Sequence, residues 1–226
     1  MVHGILPVCK LPGMSTYDVI RVFKEKTGFE GKVGHGGTLD VFASGVVYLL
    51  LGEATKWFDE LLKLPKTYIA GVRLGVNSST LDVEGSFESD LNPSRLEISD
   101  IKANLAKFKG EILQTVPAFS AAKHEGKPLY KLAREGIDIG KNRLITIYSL
   151  DIVSYKFPLV TLSVTCSSGT YIRQLTYDMF KSLNQKSFLY FLERAKVGTI
   201  SVNQCIRIVD FALKWKKHLL DLNQVL

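Results

Sequence analysis

The alternation of apolar and polar positions divides the first seventy residues into short strands and amphipathic helices. Gly4–Val8 reads as a strand that enters a turn at Pro12-Gly13. Val19, Ile20, Val22 and Phe23 supply the apolar face of a helix, with Ser15 and Asp18 in capping-box spacing ahead of it and Gly28 as its stop. Val46–Leu51 is a continuous apolar run, too short and too β-branched at its start for a buried helix; it reads as a buried strand closed by Gly52. Ala54, Trp57, Phe58, Leu61 and Leu62 recur at i, i+3, i+4, i+7 and i+8, which predicts an amphipathic helix. Tyr68–Leu74 is a further strand.

Beyond it, the acidic stretch 76–94 reads as an exposed loop and 97–107 as a short helix. Pro128–Arg134 is helical and ends at Gly136. Strands follow at Leu144–Tyr155 and Leu159–Cys166, joined by a turn at Phe157-Pro158. A helix runs from about Thr170 to Leu183, Phe188–Ile200 contains a strand, and 208–222 reads as a closing amphipathic helix. Strands and helices alternate irregularly, which predicts an α+β (mixed α/β) fold rather than a regular doubly wound sheet. No repeat, low-complexity segment or linker breaks the chain, so residues 1–226 are expected to form a single domain.

Composition narrows the function. With 226 residues, 46% hydrophobic and 23% charged, the chain has the apolar content of a packed protein and not that of a disordered regulator. Its longest apolar runs fall far short of the roughly 20 residues a membrane helix needs. The start Met1-Val2-His3-Gly4 has no charged region followed by an apolar one, so no signal peptide is expected. Cys9, Cys166 and Cys205 form neither a CxxC nor an even framework, which fits a reducing, cytoplasmic setting. The net charge of +7 is unevenly spread. Residues 76–104 carry a net −4, residues 105–149 a net +4 and residues 181–226 a net +5, so the chain can turn a basic face to phosphates.

The segment richest in chemistry is Gly34-His35-Gly36-Gly37-Thr38-Leu39-Asp40. Its glycines open backbone conformations closed to other residues and let a ligand approach closely. It is not a phosphate-binding P-loop: no Gly-Lys-Ser/Thr follows, and Asp40 would repel a phosphate. The G-x-G-x-x-G dinucleotide pattern is absent from it as well. Taken alone, a glycine-rich loop ending in one Asp is most often a tight turn.

The loop has company in chain order. Gly34, His35, Gly37, Leu39, Asp40, Ala43 and Gly45 resemble the signature G-H-x-G-x-L-D-P-x-A-x-G-x-L of the TruB family of tRNA pseudouridine synthases, and Gly52, Ala54, Thr55 and Lys56 its G-x-A-T-K. Lys10, Gly13 and Ser15-Thr16 resemble its N-terminal element, and Lys66 and Tyr68 its K-x-Y. Leu74-Gly75, Thr80, Asp82 and Gly85 resemble L-G-x-x-T-x-T-x-D-x-x-G. Gln114, Pro117, Ser120-Ala121, Lys123, Gly126 and Tyr130 resemble Q-x-P-P-x-[YF]-S-A-x-K-x-x-G-x-x-x-Y. Gly169 to Arg173 with Asp178 resemble G-T-Y-I-R-x-L-x-x-D, and Leu192, Arg194 and Gly198 resemble L-x-R-T-x-x-G. The ordered matches extend over residues 4–198.

The resemblance implies a pseudouridine synthase fold: a mixed, mostly antiparallel sheet flanked by helices, with a central RNA-binding cleft. It implies isomerisation of the T-loop uridine of tRNA, an intramolecular transfer that needs no cofactor and no metal. The four histidines, His3, His35, His124 and His218, are isolated from one another in the chain, in keeping with that. Asp40 matches the carboxylate that acts as nucleophile or as base on the sugar, and Arg173 the cation that keeps it ionised. Tyr68 matches the residue on which the extruded base stacks, and Tyr171 is a candidate for proton handling at C5. His35 resembles the residue that helps displace the base, and Leu192 the apolar wall of the pocket. Lys10, Lys56 and Lys123 are candidates for phosphate contacts.

The chain also departs from the pattern. Val41 stands where the family has Pro, which frees φ and is expected to loosen the catalytic loop. Val116, Ser78 and Ala195 replace a Pro, a Thr and a Thr. About 25 residues follow Gly198, too few for the C-terminal RNA-binding PUA domain that bacterial members carry. The expectation is a monomeric, cytoplasmic enzyme that binds the T-arm stem-loop of tRNA without a membrane. Its rivals are a catalytically weak tRNA-binding protein acting as a chaperone of the tRNA elbow, and a synthase with another RNA target.

Overall fold

The computed structural model describes residues 2–90, 93–137 and 139–226, except the side chain of Lys123. In chain order the elements are β1 (Gly4–Lys10), α1 (Thr16–Thr27), β2 (Val33–His35), β3 (Ser44–Leu51), α2 (Phe58–Lys63), β4 (Lys66–Leu74), β5 (Val76–Ser78), β6 (Phe87–Ser89), α3 (Ile98–Ala106) and β7 (Gly110–Thr115). They continue with β8 (Lys123–His124), β9 (Lys127–Pro128), α4 (Leu129–Arg134), β10 (Asn142–Lys156), β11 (Leu159–Cys166), α5 (Ile172–Lys181), β12 (Ser187–Val197), β13 (Ile200–Ser201), β14 (Ile206–Arg207) and α6 (Phe211–Lys214). The pairing is mixed and mostly antiparallel, as the α+β reading predicts. The chain divides into two compact units, residues 1–69 with 191–226, and residues 70–190.

In the first unit the strand order is β14–β1–β3–β12. β1 lies antiparallel to β3 along its whole length, from Gly4 opposite Leu51 to Lys10 opposite Gly45. β12 runs parallel to β3, with Arg194 opposite Gly45. The unbroken apolar run of β3 is explained by burial on both faces. Val46, Tyr48 and Leu50 enter a core with Ile5, Leu61 and Val197, while Val47, Leu49 and Leu51 are equally buried on the opposite face. Helix α1 begins and ends as its sequence predicts. Ser15 accepts from the Asp18 N–H at 3.0 Å, the Asp18 carboxylate accepts from the Ser15 N–H at 3.0 Å, and Gly28 closes the helix at φ +64°.

Two helices are shorter than their periodicity suggests. The stretch from Ala54 to Leu62 splits into a 3-10 turn, Gly52–Trp57, and the short α2. In the turn, Thr55 spends its hydroxyl on the Gly52 carbonyl at 2.9 Å. Of the 208–222 helix, Phe211–Lys214 alone is α-helical, flanked by 3-10 turns at Ile208–Asp210 and Trp215–His218. Tertiary pairing overrides the pattern there: Leu220 exchanges both backbone hydrogen bonds with Ile5 at 2.8 Å, which pulls the chain into an extended path. Phe211 and Trp215 still bury against Phe23, edge-on at 5.4 and 5.3 Å.

In the second unit the strand order is β4–β11–β10–β7, and β10 is antiparallel to both its neighbours. Along β11, Val160, Leu162, Val164 and Cys166 alternate into the core. Ile101 and Leu105 of α3 and Leu175, Met179 and Phe180 of α5 bury as well, and Asn104 ties the two helices together by donating to the Met179 carbonyl at 2.7 Å. The acidic segment 76–94 is exposed over much of its described length, as its composition suggests. It is not all loop: it holds the β5–β6 hairpin, and Leu189 donates to the Leu81 carbonyl at 3.0 Å beside Asp82, which is 2% exposed.

Candidate active site

The loop that presents Asp40 is held on both sides of that residue. On one side, the Leu39 N–H donates to Thr16 Oγ1 at 3.1 Å, and the Leu39 side chain is buried. On the other, the Val41 carbonyl accepts from the Gly13 N–H at 2.8 Å and from Lys10 Nζ at 3.1 Å. Further back, Arg194 donates to the carbonyls of Val46 at 2.7 Å, Thr38 at 3.1 Å and Gly37 at 3.3 Å. The Asp40 carbonyl accepts from the Ala43 N–H at 3.1 Å, closing a turn that leaves the residue half-buried. The carbonyl of Val41 thus carries two of the clamps.

Lys10 thus has a different place from the one sequence reasoning assigned it. It is 0% exposed, and its ammonium also donates to the carbonyls of Met14 at 2.6 Å and Leu11 at 3.0 Å, so it is not turned out to a phosphate. His35, at the end of β2, accepts the Gly37 N–H on Nδ1 at 3.3 Å. That bond needs the Nδ1 lone pair and so favours the neutral ring. Burial first, and the nearby Arg194 charge second, push the His35 pKa down in the same direction. Tyr68 and Leu192 are buried in β4 and β12, at 8% and 4% exposure. Lys66, the first residue of the K-x-Y match, turns back to hold the Leu62 carbonyl. Lys56 is exposed and paired with Glu53 in the Gly52–Trp57 turn. The Lys123 side chain lies outside the described residues.

The second unit holds Tyr171 and Arg173 at the start of α5. The Arg173 guanidinium is 3.2 Å from the Asp82 carboxylate, and both side chains are nearly sealed from solvent. It also donates to the carbonyls of Thr80 at 3.0 Å and Phe119 at 3.2 Å. Asp82 is held in turn by the Thr80 hydroxyl at 2.5 Å and the Glu84 N–H at 2.9 Å. A guanidinium fixed by a fork of acceptors presents its charge in one orientation. Tyr171 caps α5, and the Gln114 amide grips its backbone twice, accepting from its N–H at 2.8 Å and donating to its carbonyl at 3.0 Å. Asp82, Gln114, Arg194 and Thr16 were not singled out as site residues from the sequence. The available signal was their place in motif matches, not their charge or periodicity. Among the described residues, no group of three or more His, Cys, Asp or Glu side chains is placed to hold a metal ion.

Comparison with known proteins identifies the family. Residues 21–172 match the family described as TruB family pseudouridylate synthase, N-terminal domain. The chain is 43% identical to the tRNA pseudouridine synthase B of Clostridium kluyveri over 206 residues, covering 91% of this chain and 71% of that one. It is 40% identical to the corresponding protein of Burkholderia mallei over 210 residues, covering 91% and 68%. Among solved structures it resembles a chain of a Cbf5-Nop10-Gar1 complex at 26% identity and a TM-score of 0.73, covering 95% of this chain and 56% of that one. It thus spans little more than half the length of that solved protein. With the signature loop, the Arg173 motif and these matches together, the chain belongs to the TruB family of pseudouridylate synthases, enzymes of the isomerase class.

Proposed function

We propose that the protein isomerises the T-loop uridine of tRNA to pseudouridine, as a cytoplasmic monomer bound to the T-arm stem-loop. In this reaction the N1–C1′ bond breaks, the uracil turns, and C5 bonds to C1′; the C5 proton leaves and N1 gains one. Asp40 acts as nucleophile or as base on the sugar. The observation that carries the reading is the double clamp on its loop: Thr16 holds the residue before Asp40, and Lys10 with Gly13 the residue after it. A carboxylate held in place before the substrate arrives has already met the entropic cost of orientation.

The other residues fit around that step. Arg173 is the cation assigned to keep Asp40 ionised, and its fork of acceptors supports a fixed orientation. The extruded base stacks on Tyr68 against the Leu192 wall. A neutral His35 takes the place of the base without adding a charge to the loop. Tyr171, held by Gln114, handles the proton at C5.

The test is a tRNA transcript carrying tritium at uridine C5. Release by the wild-type protein that vanishes in Asp40→Ala is the expected result. Release that persists in Asp40→Ala overturns the role of Asp40. Binding of tRNA with no release overturns the enzyme reading in favour of a tRNA-binding chaperone. Release from a T-loop lacking its target uridine redirects the substrate.

A further inference from the structure

The second unit holds a cation that the proposed chemistry leaves unused. Arg143 of β10 is exposed, and among the described residues it has neither an ion pair nor a hydrogen-bond partner. Strand register sets its place. Arg143 stands directly opposite Gln114 of β7, and residues opposite each other in an antiparallel pair share one face of the sheet. On that face Gln114 grips the backbone of Tyr171. The Arg143 guanidinium lies against Gly169, two residues before Tyr171 in the G-T-Y-I-R match. Gly169 sits at φ +80°, and a β-carbon there would run into Arg143 Nη1 and come within 3.0 Å of Cζ. Glycine therefore both turns the chain and leaves a bare seat for the arginine.

The seat is tied to the strand that carries Arg143. The Ser167 N–H donates to the Thr146 carbonyl at 2.8 Å, and the Thr146 N–H donates to the Ser167 hydroxyl at 2.9 Å. The Thr170 hydroxyl donates to the Ser167 carbonyl at 2.9 Å and closes the turn ahead of Tyr171. The charge around Arg143 is one-sided. Neither 139–149 nor 165–177 contains an acid. Glu111 of β7 is three positions from Gln114, so the strand alternation turns it to the other face. A guanidinium is planar and offers paired N–H donors that match two oxygens of a phosphate. Seated on Gly169 beside the Tyr171 backbone, and paired with no carboxylate among the described residues, it suits the phosphodiester of a strand that brings a base to Tyr171.

We propose that Arg143 binds a backbone phosphate of the RNA whose uridine reaches Tyr171. The proposal rests on the RNA reading of the catalytic site. Its test uses the full chain with Asp40→Asn to prevent turnover, and measures Kd for the tRNA transcript against salt. Arg143→Gln is expected to raise Kd about tenfold, the scale of one charged hydrogen-bonded contact. It should also flatten the slope of log Kd against log salt by about 0.7–0.9, the share of one phosphate. Arg143→Lys keeps the charge without the fork, so it should keep the slope and recover part of the affinity. Lys156→Gln, an exposed lysine at the far end of the same strand, should change neither. A T-arm stem-loop carrying one uncharged methylphosphonate linkage at a time locates the contact. At one linkage the change should weaken binding to the protein with Arg143 and leave Arg143→Gln unaffected. An unaltered slope in Arg143→Gln, or no linkage that behaves this way, overturns the proposal. So does a fall in tritium release at saturating tRNA with Kd unchanged, measured with Asp40 in place, which would make Arg143 a support for Tyr171. The two readings fail separately. A responding slope without tritium release removes the enzyme alone, release with an unaltered slope removes the contact alone, and no tRNA binding removes both.

Discussion

The ammonium of Lys10 lies 3.1 Å from the carbonyl oxygen of Val41, thirty-one residues along the chain and next to Asp40. A buried lysine is costly unless its donors are used, and Lys10 uses them on backbone oxygens at three places. It fastens the turn after β1 to the far side of the Asp40 loop. Val41 is thereby tied at its carbonyl to Lys10 and Gly13.

Replacing Lys10 by Met keeps much of the volume and removes the donors. The carbonyls of Met14 and Val41 then lose a charged partner, at a cost of about 2–3 kcal/mol. Urea unfolding should show the loss as a lower midpoint with an unchanged slope. If the clamp matters for catalysis, tritium release should fall by more than the unfolded fraction accounts for. Retention of full activity per folded molecule would show that Gly13 and Thr16 hold the loop unaided.

The Asp82–Arg173 pair has a different character. Both partners are nearly sealed from water, at 3% and 5% side-chain exposure, so removing one strands the other. Asp82→Ala is expected to destabilise by about 3–5 kcal/mol, read by thermal or denaturant unfolding. Arg173→Lys keeps the charge but cannot reach Asp82, Thr80 and Phe119 together, and should lose activity despite its formal conservatism.

Those two relationships mark where the sequence was readable and where it was not. The capping box at Ser15 and Asp18 and the buried run Val46–Leu51 are local features, and each appears in the fold as its pattern predicts. Asp82 is different: composition placed it on an acidic loop, because its burial depends on a guanidinium ninety-one positions away. Lys10 reads as a surface cation for the same reason, since its acceptors exist once the chain has folded. The closing segment has helical periodicity, yet the pairing of Leu220 with Ile5 decides its path. The Asp40 loop was legible through its motif; the clamps around Asp40 carry no periodic signal at all.

His35 supplies a prediction in pH. Its folded pKa is lowered from the ordinary 6.5, by burial first and by Arg194 second. As pH falls through 6.5 the unfolded chain takes up a proton that the folded ring resists, so His35 costs stability on the acid side. The loss begins near 6.5 and stops growing once pH drops below the folded value. Imidazole proton shifts should titrate with a midpoint below 6.5, and the stability of wild type relative to His35→Gln should decline through the same window. A midpoint at or above 6.5 would contradict the neutral ring and its bond from Gly37.

Gln114 should matter through Tyr171. Its amide satisfies both the N–H and the carbonyl of a helix-capping residue, from a position that is itself buried. Gln114→Ala leaves both groups to find other partners and is expected to cost about 1–3 kcal/mol. Gln114→Glu can still accept from the Tyr171 N–H but cannot donate to its carbonyl. It should be the more damaging for activity if the tyrosine handles a proton, since it sets a carboxylate beside that residue. The comparison of tritium release between the two variants, normalised to folded protein, decides this.

Gly45 and Gly13 provide a matched contrast between crowding and conformation. Both have positive φ, at +111° and +82°. Around a β-carbon at Gly13 no atom lies within 4 Å, so Gly13→Ala carries conformational strain alone, about 1–2 kcal/mol. A β-carbon at Gly45 would come within 2.7 Å of the Arg194 nitrogen and 2.8 Å of its carbonyl carbon, where β3 and β12 run side by side. Backbone cannot swing aside as a flexible side chain can. Gly45→Ala must therefore push β12 away from β3 and carry the Arg194 guanidinium off the Gly37 and Thr38 carbonyls. A loss of about 4 kcal/mol or more is expected, together with a fall in activity that Gly13→Ala does not share. Equal stability losses in the two variants would mean that β12 yields at Arg194, and that the loop clamp is softer than its hydrogen bonds suggest.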